Sequence, residues 1–475
     1  MDATSPGSTP RTVAIIGSGA AGSVTAYRLR HLLGSDARLV LYEREDRVGG
    51  RARSVTFAGA QIEVGGTLIH SSNRRLGDLL AAAGLQPTAP GLEIDGPAET
   101  IAIWDGSSIV FQARTSAAAL AWMLVRRYGL RSVLRLRRHT AAVLESFEDI
   151  YDLQDAGRLF ATPRELLEAI QLGRHTDVSL RDSLASQGVG PSLIGGLTEG
   201  ILRNMYNQDV SINALAGSVA LIGGGFAGGD LYSIQGGNAG LFQRVTELSA
   251  AEVRLERRVT AIVPAESPSA RGGYAITDSG GHVDNFRAVV IATPLEGSGI
   301  DLRAVATSTV LPLDRRFQTV HTTLIAGELN GRFFGQSPGQ ALPSHVLTTA
   351  SPGLPFKSIG VTGMSNHGSR IYKIFSGDSV PDDLLDELFS KVHDVHRLVW
   401  QAYPLLSPKP NWTPFELADG VYYVNAFESA VSTLETEAVA AWNVAGLAAS
   451  RLGVNADRLL SPPGASEGPT GACRS

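Results

Sequence analysis

The first forty-two residues alternate apolar and polar segments most clearly. Thr12–Ile16 is a short, β-branched apolar run that stops at glycine, the pattern of a buried strand. Ala20–Leu33 reads as a helix with small residues near its start, and Arg38–Tyr42 is a second apolar run. Strand, glycine turn, helix and strand make a βαβ unit, right-handed by default. From about 113 to 172 the spacing is helical and rich in Leu and Arg, and it stays helical over 177–220 with glycine breaks. The chain turns glycine-rich near 231, then strand-like over Val253–Val263 and Tyr274–Ala292. Gln318–Ile325 and Ser358–Val361 mark 313–377 as rich in strands. Residues 381–401 read as a helix, Val421–Asn425 as a strand and Glu435–Leu452 as an Ala-rich helix. The polar ends, 1–10 and Ser461–Ser475, read as disordered.

At 475 residues the chain has room for two or three domains or one large composite fold. With 43% hydrophobic and 18% charged residues it is a globular chain, not a disordered one. Lys and Arg number 41 against 46 Asp and Glu, a net charge of −5 that argues against a general nucleic-acid coat. The lone cysteine, Cys473, rules out an intrachain disulfide and a cysteine-based metal site, and suits a reducing, cytoplasmic location. No charged start followed by an apolar run opens the chain, so no secretory signal is expected. The longest apolar run, Ala117–Val125, is about half the roughly 20 residues a membrane helix needs.

Gly17-Ser18-Gly19-Ala20-Ala21-Gly22 fits the dinucleotide fingerprint between the first strand and its helix. Gly17 permits the tight turn, Gly19 lets the backbone approach a pyrophosphate, and Gly22 lets helix and strand pack closely. The helix N-terminus, from Ala21 on, offers free N–H groups and a favourable dipole. Glu43, at the end of the second strand, suits ribose hydroxyls and disfavours a 2′-phosphate, so NADP is not expected. This alone does not separate NAD from FAD. Glu43-Arg44 leads into Val48-Gly49-Gly50-Arg51, where small residues let the chain pass under the pyrophosphate and Arg51 offers it a charge-assisted contact.

These residues resemble the FAD-dependent amine-oxidase-like flavoprotein superfamily and, more narrowly, the prenylcysteine oxidase (prenylcysteine lyase) family. The narrower resemblance rests on Val48–Arg51, Gly65-Gly66-Thr67-Leu68-Ile69-His70 with Asn73, and Tyr206–Asn213. Gly236-Gly237-Asn238, Ala292-Thr293-Pro294-Leu295, Thr322-Thr323-Leu324 with Gly327-Glu328-Leu329, Lys373–Ser376 and Tyr422–Glu435 continue it in family order. His70-Ser71-Ser72-Asn73 departs from the family's usual His-Pro-Leu-Asn. The resemblance implies an α/β fold: a composite Rossmann-like FAD-binding domain with a mixed α+β substrate-binding domain. The expected division gives residues 11–90, 215–300 and 405–455 to the FAD domain, 91–214 and 301–404 to the substrate domain, and 456–475 to a tail.

The resemblance also implies noncovalent FAD and oxidative thioether cleavage. A hydride leaves the allylic carbon on sulfur, water adds, and the hemithioacetal collapses to aldehyde and thiol. Molecular oxygen then takes the electrons as hydrogen peroxide. Further implied cofactor contacts are Gly65, Gly66, Thr67, Leu68, Val259, Ala292, Thr293, Glu428, Ser432, Thr433 and Leu434. His70 is the candidate for substrate orientation or proton transfer, set against a satisfied buried histidine. Tyr206 and Gln208 are candidate cavity residues, set against turn formation and capping. High Arg, Ala and Gly usage points to a bacterial source, which leaves the substrate open between a prenylcysteine-like and another S-alkyl compound. Two other functions stay open: a flavin amine oxidase or desaturase, for which Lys373 is the one lysine to propose, and a non-catalytic flavin-binding partner protein. The oligomeric state is open. The stretch Arg126–Arg138, six arginines among thirteen residues behind Ala117–Val125, is amphipathic; it suits transient contact with an anionic membrane surface or a solvated helix face.

Overall fold

The computed structural model describes residues 11–89, 101–112, 117–266, 272–305, 315–337, 340, 342–409 and 412–460. The lead-in at 1–10 and the segment from 461, with Cys473, lie outside the described residues. Residues 456–460, expected to open the tail, instead carry a short helix, Ala456–Leu459, whose Leu459 carbonyl accepts from Arg28 Nη2 at 2.8 Å.

Two sheets organise the chain. The first has six strands in the order Glu252–Arg254, Arg38–Tyr42, Thr12–Ile16, Ala288–Ile291, Val421–Tyr423 and Glu416–Ala418. Its first five strands are parallel and the last is antiparallel. The central strands are buried on both faces, which is why TVAII and AVVI are unbroken apolar runs rather than alternating ones. Helix Ala20–Leu33 packs against helix Leu434–Arg451, and the latter's alanines let the two approach closely. Three distant stretches of sequence thus build one nucleotide-binding layer.

The second sheet has seven strands in the order Phe389–Pro404, Phe317–Leu329, Arg370–Ser376, Ser358–Met364, His345–Thr348, Ile101–Trp104 and Ile109–Gln112. One face buries Ile325, Phe334, Phe356, Tyr372 and Ile374, with Trp104 and Phe356 stacked at 5.4 Å. The other face presents Thr322 and Lys373 to the Val64–Gly65 turn and Leu347 to Gly200 of helix Glu199–Tyr206.

Residues 381–401 are not one helix. Asp382–Leu388 is helical, and Phe389–Pro404 is a sixteen-residue edge strand. Val392, Val395 and Leu398 recur every third residue, which imitates a helical face. Bulges against Phe317–Leu329 break the alternation a strand would otherwise show. The strand expected over Val421–Asn425 stops at Tyr423, where a 3₁₀ turn, Val424–Ser429, takes over.

The helical part contains Ala117–Tyr128, Leu130–Asp155 and Ala214–Gly223. The last packs on Leu130–Asp155, so residues 214–223 sit with the helices and not with the nucleotide layer. Between these helices His139 is buried in a complete hydrogen-bond chain. Gln187 Nε2 donates to its Nδ1 at 2.8 Å, and its Nε2 donates to Ser218 Oγ at 2.7 Å. Burial, with His175 beside it, pushes the His139 pKa down to about 4. The unfolded chain takes up this proton near pH 6.5 and the folded one only near 4, so stability falls as pH drops across that window, by about 3 kcal/mol at pH 4. Thermal unfolding of wild type and His139→Asn at pH 7 and 4.5 checks this. The variant is expected to start lower and to lose less on acidification.

Candidate functional site: a glycine-lined cofactor bed beneath the second sheet

The geometry at the end of the first strand explains the glycine spacing. Gly17 holds φ +100°, and its amide donates to Tyr42 O at 2.8 Å. A Cβ at Gly22 would lie 1.8 Å from Gly17 O, and one at Gly17 would lie 2.7 Å from Ala292 O. Gly50, at φ +56°, packs on Gly19; a Cβ there would lie 2.9 Å from the Gly19 Cα. The two glycine loops are therefore back to back, with Gly49 N donating to Ser18 O at 2.9 Å. Ala21 is buried under this loop.

Glu43 is buried beside it and accepts from Ser18 N at 2.9 Å, Ser18 Oγ at 2.6 Å and Glu45 N at 3.0 Å. Glu256 N and Arg257 N donate to the Glu45 and Glu43 carbonyls, which brings the start of strand Val259–Pro264 alongside. Ala292 N donates to Ile16 O at 2.8 Å, and the Thr293 Cβ lies near Gly17. Arg44 departs from the expected set. Its side chain is exposed and pairs with Glu45, so it turns away from the bed.

Arg51 keeps about a third of its side chain accessible. It pairs with the fully buried Glu428 and donates to Ala402 O. Glu428 also accepts from Ser432 Oγ at 3.2 Å, and Asn425 Nδ2 lies 3.4 Å from Glu428 and 3.3 Å from Glu437. Burial and the Glu428 charge hold the Glu437 carboxyl well above the usual carboxylate range. Arg315 adds a second cation, bound to Glu296 at 2.5 and 2.7 Å and to the Asn425 carbonyl at 2.8 Å. Thr433 caps helix Leu434–Arg451 in a reciprocal box with Thr436. Glu435 reaches across to Arg75 N and Leu76 N at 2.8 and 2.9 Å and caps helix Arg74–Ala83.

The turn Gly65-Gly66-Thr67-Leu68 is clamped from two sides. Asn238 Nδ2 donates to Gly66 O at 3.0 Å, and Asn238 N donates to Glu63 at 2.7 Å. From the second sheet Lys373 Nζ donates to Gly65 O at 2.7 Å and Glu63 O at 3.0 Å. Burial pushes the Lys373 pKa down to about 8, although the Glu63 charge opposes this. The Trp400 ring lies against Gly65, where a Cβ would come within 3.2 Å, and its Nε1 donates to Thr322. Leu68 is half exposed.

Two expected catalytic residues are structural ties. His70 uses both ring nitrogens: Nε2 donates to Gly228 O at 2.8 Å and Nδ1 accepts from Ser72 Oγ at 2.7 Å. No nitrogen is left for proton transfer. His70→Asn is expected to cost about 1–2 kcal/mol of stability and to leave flavin reduction largely unchanged. A rate loss of about 100-fold, the scale of a lost acid–base group, would return it to the mechanism. Gln208 is spent as well, with Nε2 on Pro404 O at 3.1 Å and Oε1 accepting from Leu406 N at 2.8 Å. Asn213 caps helix Ala214–Gly223 through Ala216 N.

Tyr206 differs from both. It is buried and edge-on to Tyr403 at 5.2 Å, and its hydroxyl lies near the Ser432 backbone without a well-formed hydrogen bond. The residues that motif reading missed, Glu437, Arg315, Trp400 and Tyr403, belong to no glycine motif. Lys373 had one available signal, since it is one of only four lysines in the chain. Among the described residues no cluster of three or more His, Cys, Asp or Glu is placed to hold a metal ion.

The cradle fits FAD on its own terms. The glycine loops leave no room for side chains. Buried Asn425 Oδ1, Glu437 Oε1 and Asn238 Oδ1 have no partner, and part of the Arg51 side chain is accessible. Residues 112–459 match the model of the prenylcysteine lyase family, and residues 15–83 match that of an NAD(P)-binding Rossmann-like domain. The chain belongs to the prenylcysteine lyase family. It is 33% identical over 458 residues to farnesylcysteine lyase of Arabidopsis thaliana, covering 93% of this chain and 89% of that one. With prenylcysteine oxidase 1 of Homo sapiens it shares 29% over 479 residues, 95% and 91% of the two chains. Among solved structures, cyclohexylamine oxidase from Brevibacterium oxydans superposes with a TM-score of 0.60 at 18% identity, over 93% of this chain and 99% of that one, a likeness of fold. This member of the prenylcysteine lyase family is an FAD-dependent oxidoreductase.

Proposed function

We propose that the protein is a thioether oxidase that cleaves a prenylcysteine-like S-alkyl substrate to an aldehyde, a free thiol and hydrogen peroxide. The match of residues 112–459 to the prenylcysteine lyase model carries this reading, since it spans the helices and second sheet that cover the cofactor bed. Bound FAD supplies the two-electron acceptor. Ser18, Glu43, Arg51, Glu428 and the loops around Gly17–Gly22, Gly50, Gly65–Thr67, Val259, Ala292–Thr293 and Ser432–Leu434 hold it. Arg51 offsets the pyrophosphate charge, with Glu428 fixing the guanidinium in place.

Lys373 holds a proton at Nζ beneath the Gly65 turn. The Trp400 ring and the Tyr206–Tyr403 pair give the site apolar walls that exclude water and accept a hydrocarbon chain. Such walls need no nucleophile and no metal, as befits cleavage by oxidation. In this reading FAD is noncovalent, oxygen is the final acceptor and the location is cytoplasmic. The bacterial source rests on composition. Lys373, the lysine a flavin amine oxidase would use, does lie at the Gly65 turn, but the prenylcysteine lyase match carries the thioether reading instead.

Aerobic incubation of the FAD-loaded protein with S-farnesylcysteine tests the reading. Aldehyde, cysteine and peroxide are expected in equal amounts. Aldehyde and cysteine without peroxide would retain the cleavage and remove oxygen as the acceptor.

A further inference from the structure

The arginine-rich run has a placement that packing does not explain. Helix Ala117–Tyr128 ends at Gly129, where φ +82° turns the chain into Leu130–Asp155. Arg126, Arg127, Arg131, Arg135, Arg137 and Arg138 are all exposed. Among the described residues none of them pairs with a carboxylate, although arginines elsewhere make many such pairs. No Asp or Glu occurs between Asp105 and Glu145.

The order of charges along Leu130–Asp155 runs against the helix dipole. Arginines crowd its N-terminal end, while Glu145, Glu148, Asp149, Asp152 and Asp155 lie toward its C-terminal end. A helix dipole favours acids first and bases last, so this order lowers helix stability. Asp152 and Asp155 at the acidic end pair with Arg74 and Arg75, whereas the arginine end has no carboxylate partner among the described residues.

Large apolar side chains stand among these cations. Trp122 is 60% exposed, Leu130 55% and Leu134 41%. Trp122 lies one turn from Arg126, whose guanidinium sits 5.2 Å from the indole. Leu130 and Leu134 are likewise one turn apart, with Arg131 and Arg135 beside them. An indole and leucines ringed by arginines match the apolar–anionic boundary of a phospholipid leaflet. A soluble anionic partner would match the arginines but give exposed Trp122 and the leucines no apolar counterpart.

The inner side of the same helix faces the sheet that covers the cofactor bed. Tyr128 packs 6.5 Å from Phe111. Phe111 shares its sheet face, through paired strands, with Ile103, Leu347, Phe375 and Lys373. We propose that residues 117–138 form a docking face for an anionic lipid bilayer, with Trp122, Leu130 and Leu134 entering the interface and the arginines holding the headgroups. The proposal does not rest on the thioether reading. No described helix is long and apolar enough to cross a membrane, so this docking is peripheral.

Sedimentation of the FAD-loaded protein with vesicles tests it, using phosphatidylcholine alone and phosphatidylcholine with phosphatidylserine. Binding to the anionic vesicles is expected to be at least about tenfold stronger and to weaken as salt rises, as for any polybasic surface. Trp122→Ser, and separately Arg126→Gln with Arg127→Gln and Arg131→Gln, are each expected to lower that binding about tenfold, the scale of losing a few interfacial contacts. Trp122→Phe is expected to restore most of it. These side chains are exposed, and retained FAD content shows that the variants fold. Equal binding to both vesicle types, or binding unchanged in the Trp122→Ser and arginine variants, would overturn the proposal. Loss of a dimer in these variants, with no vesicle binding by the wild type, would overturn it in favour of self-association.

Discussion

Arg51→Met is expected to leave a protein that no longer retains FAD through purification. Among the described residues, the guanidinium is the one cation in ion-pair contact with the fully buried Glu428. Its loss leaves that carboxylate beside Glu437 with only the more distant Arg315 charge, itself bound to Glu296, to offset it, a change that costs up to about 3–5 kcal/mol. The missing charge-assisted contact to the pyrophosphate weakens FAD by about 10- to 100-fold besides. The two effects separate in the double variant Arg51→Met/Glu428→Gln. Removing the orphan charge is expected to recover much of the stability while FAD affinity stays low. Thermal unfolding of the apo proteins reads the first effect and FAD titration the second. If Arg51→Met binds FAD as tightly as wild type, Arg51 has no part in holding the pyrophosphate.

Lys373→Met is expected to act on rate more than on cofactor affinity. Its ammonium donates to the Gly65 and Glu63 carbonyls, at the turn that the family resemblance counts among the cofactor contacts. Losing a charged donor here is worth about 1.5–3 kcal/mol, a roughly 10- to 100-fold slower flavin reduction. The pH profile gives a second readout. With its pKa pushed down to about 8, Lys373 loses its charge as pH rises through that value. Wild-type flavin reduction is expected to fall there, and the methionine variant to lack that step. Stability moves the other way: the unfolded chain holds this proton up to about 10.4, so the native state gains stability as pH rises from about 8 toward 10.4. A methionine variant with the wild-type rate and pH profile would make Lys373 a purely structural tie.

The nucleotide layer was legible because its chemistry is local. Thr12–Ile16, Ala20–Leu33 and Arg38–Tyr42 were bounded correctly from patterning, and Gly17, Gly22 and Gly50 mark close approaches that admit no side chain. Arg51 and Glu428 were each singled out, but their pairing spans the length of the chain and no spacing rule reveals it.

The cover over the flavin was less legible. Trp400 and Tyr403 lie on a strand whose every-third apolar spacing imitates a helix. His70 and Gln208 sit in family motifs, yet their polar atoms are consumed by backbone groups at Gly228, Pro404 and Leu406. Sequence shows that a residue can do chemistry; only packing shows whether its donors and acceptors are already used. Lys373 is the converse case, a lysine proposed from sequence for amine oxidation that tertiary structure delivers to the Gly65 turn.

The most direct test of the account is an anaerobic single turnover of the FAD-loaded protein with S-farnesylcysteine. The flavin's visible absorbance is expected to bleach while one aldehyde and one free cysteine form for each flavin reduced. Aldehyde and thiol formed without bleaching would contradict cleavage by flavin oxidation, and a flavin that stays oxidised with no product would contradict the prenylcysteine-like substrate.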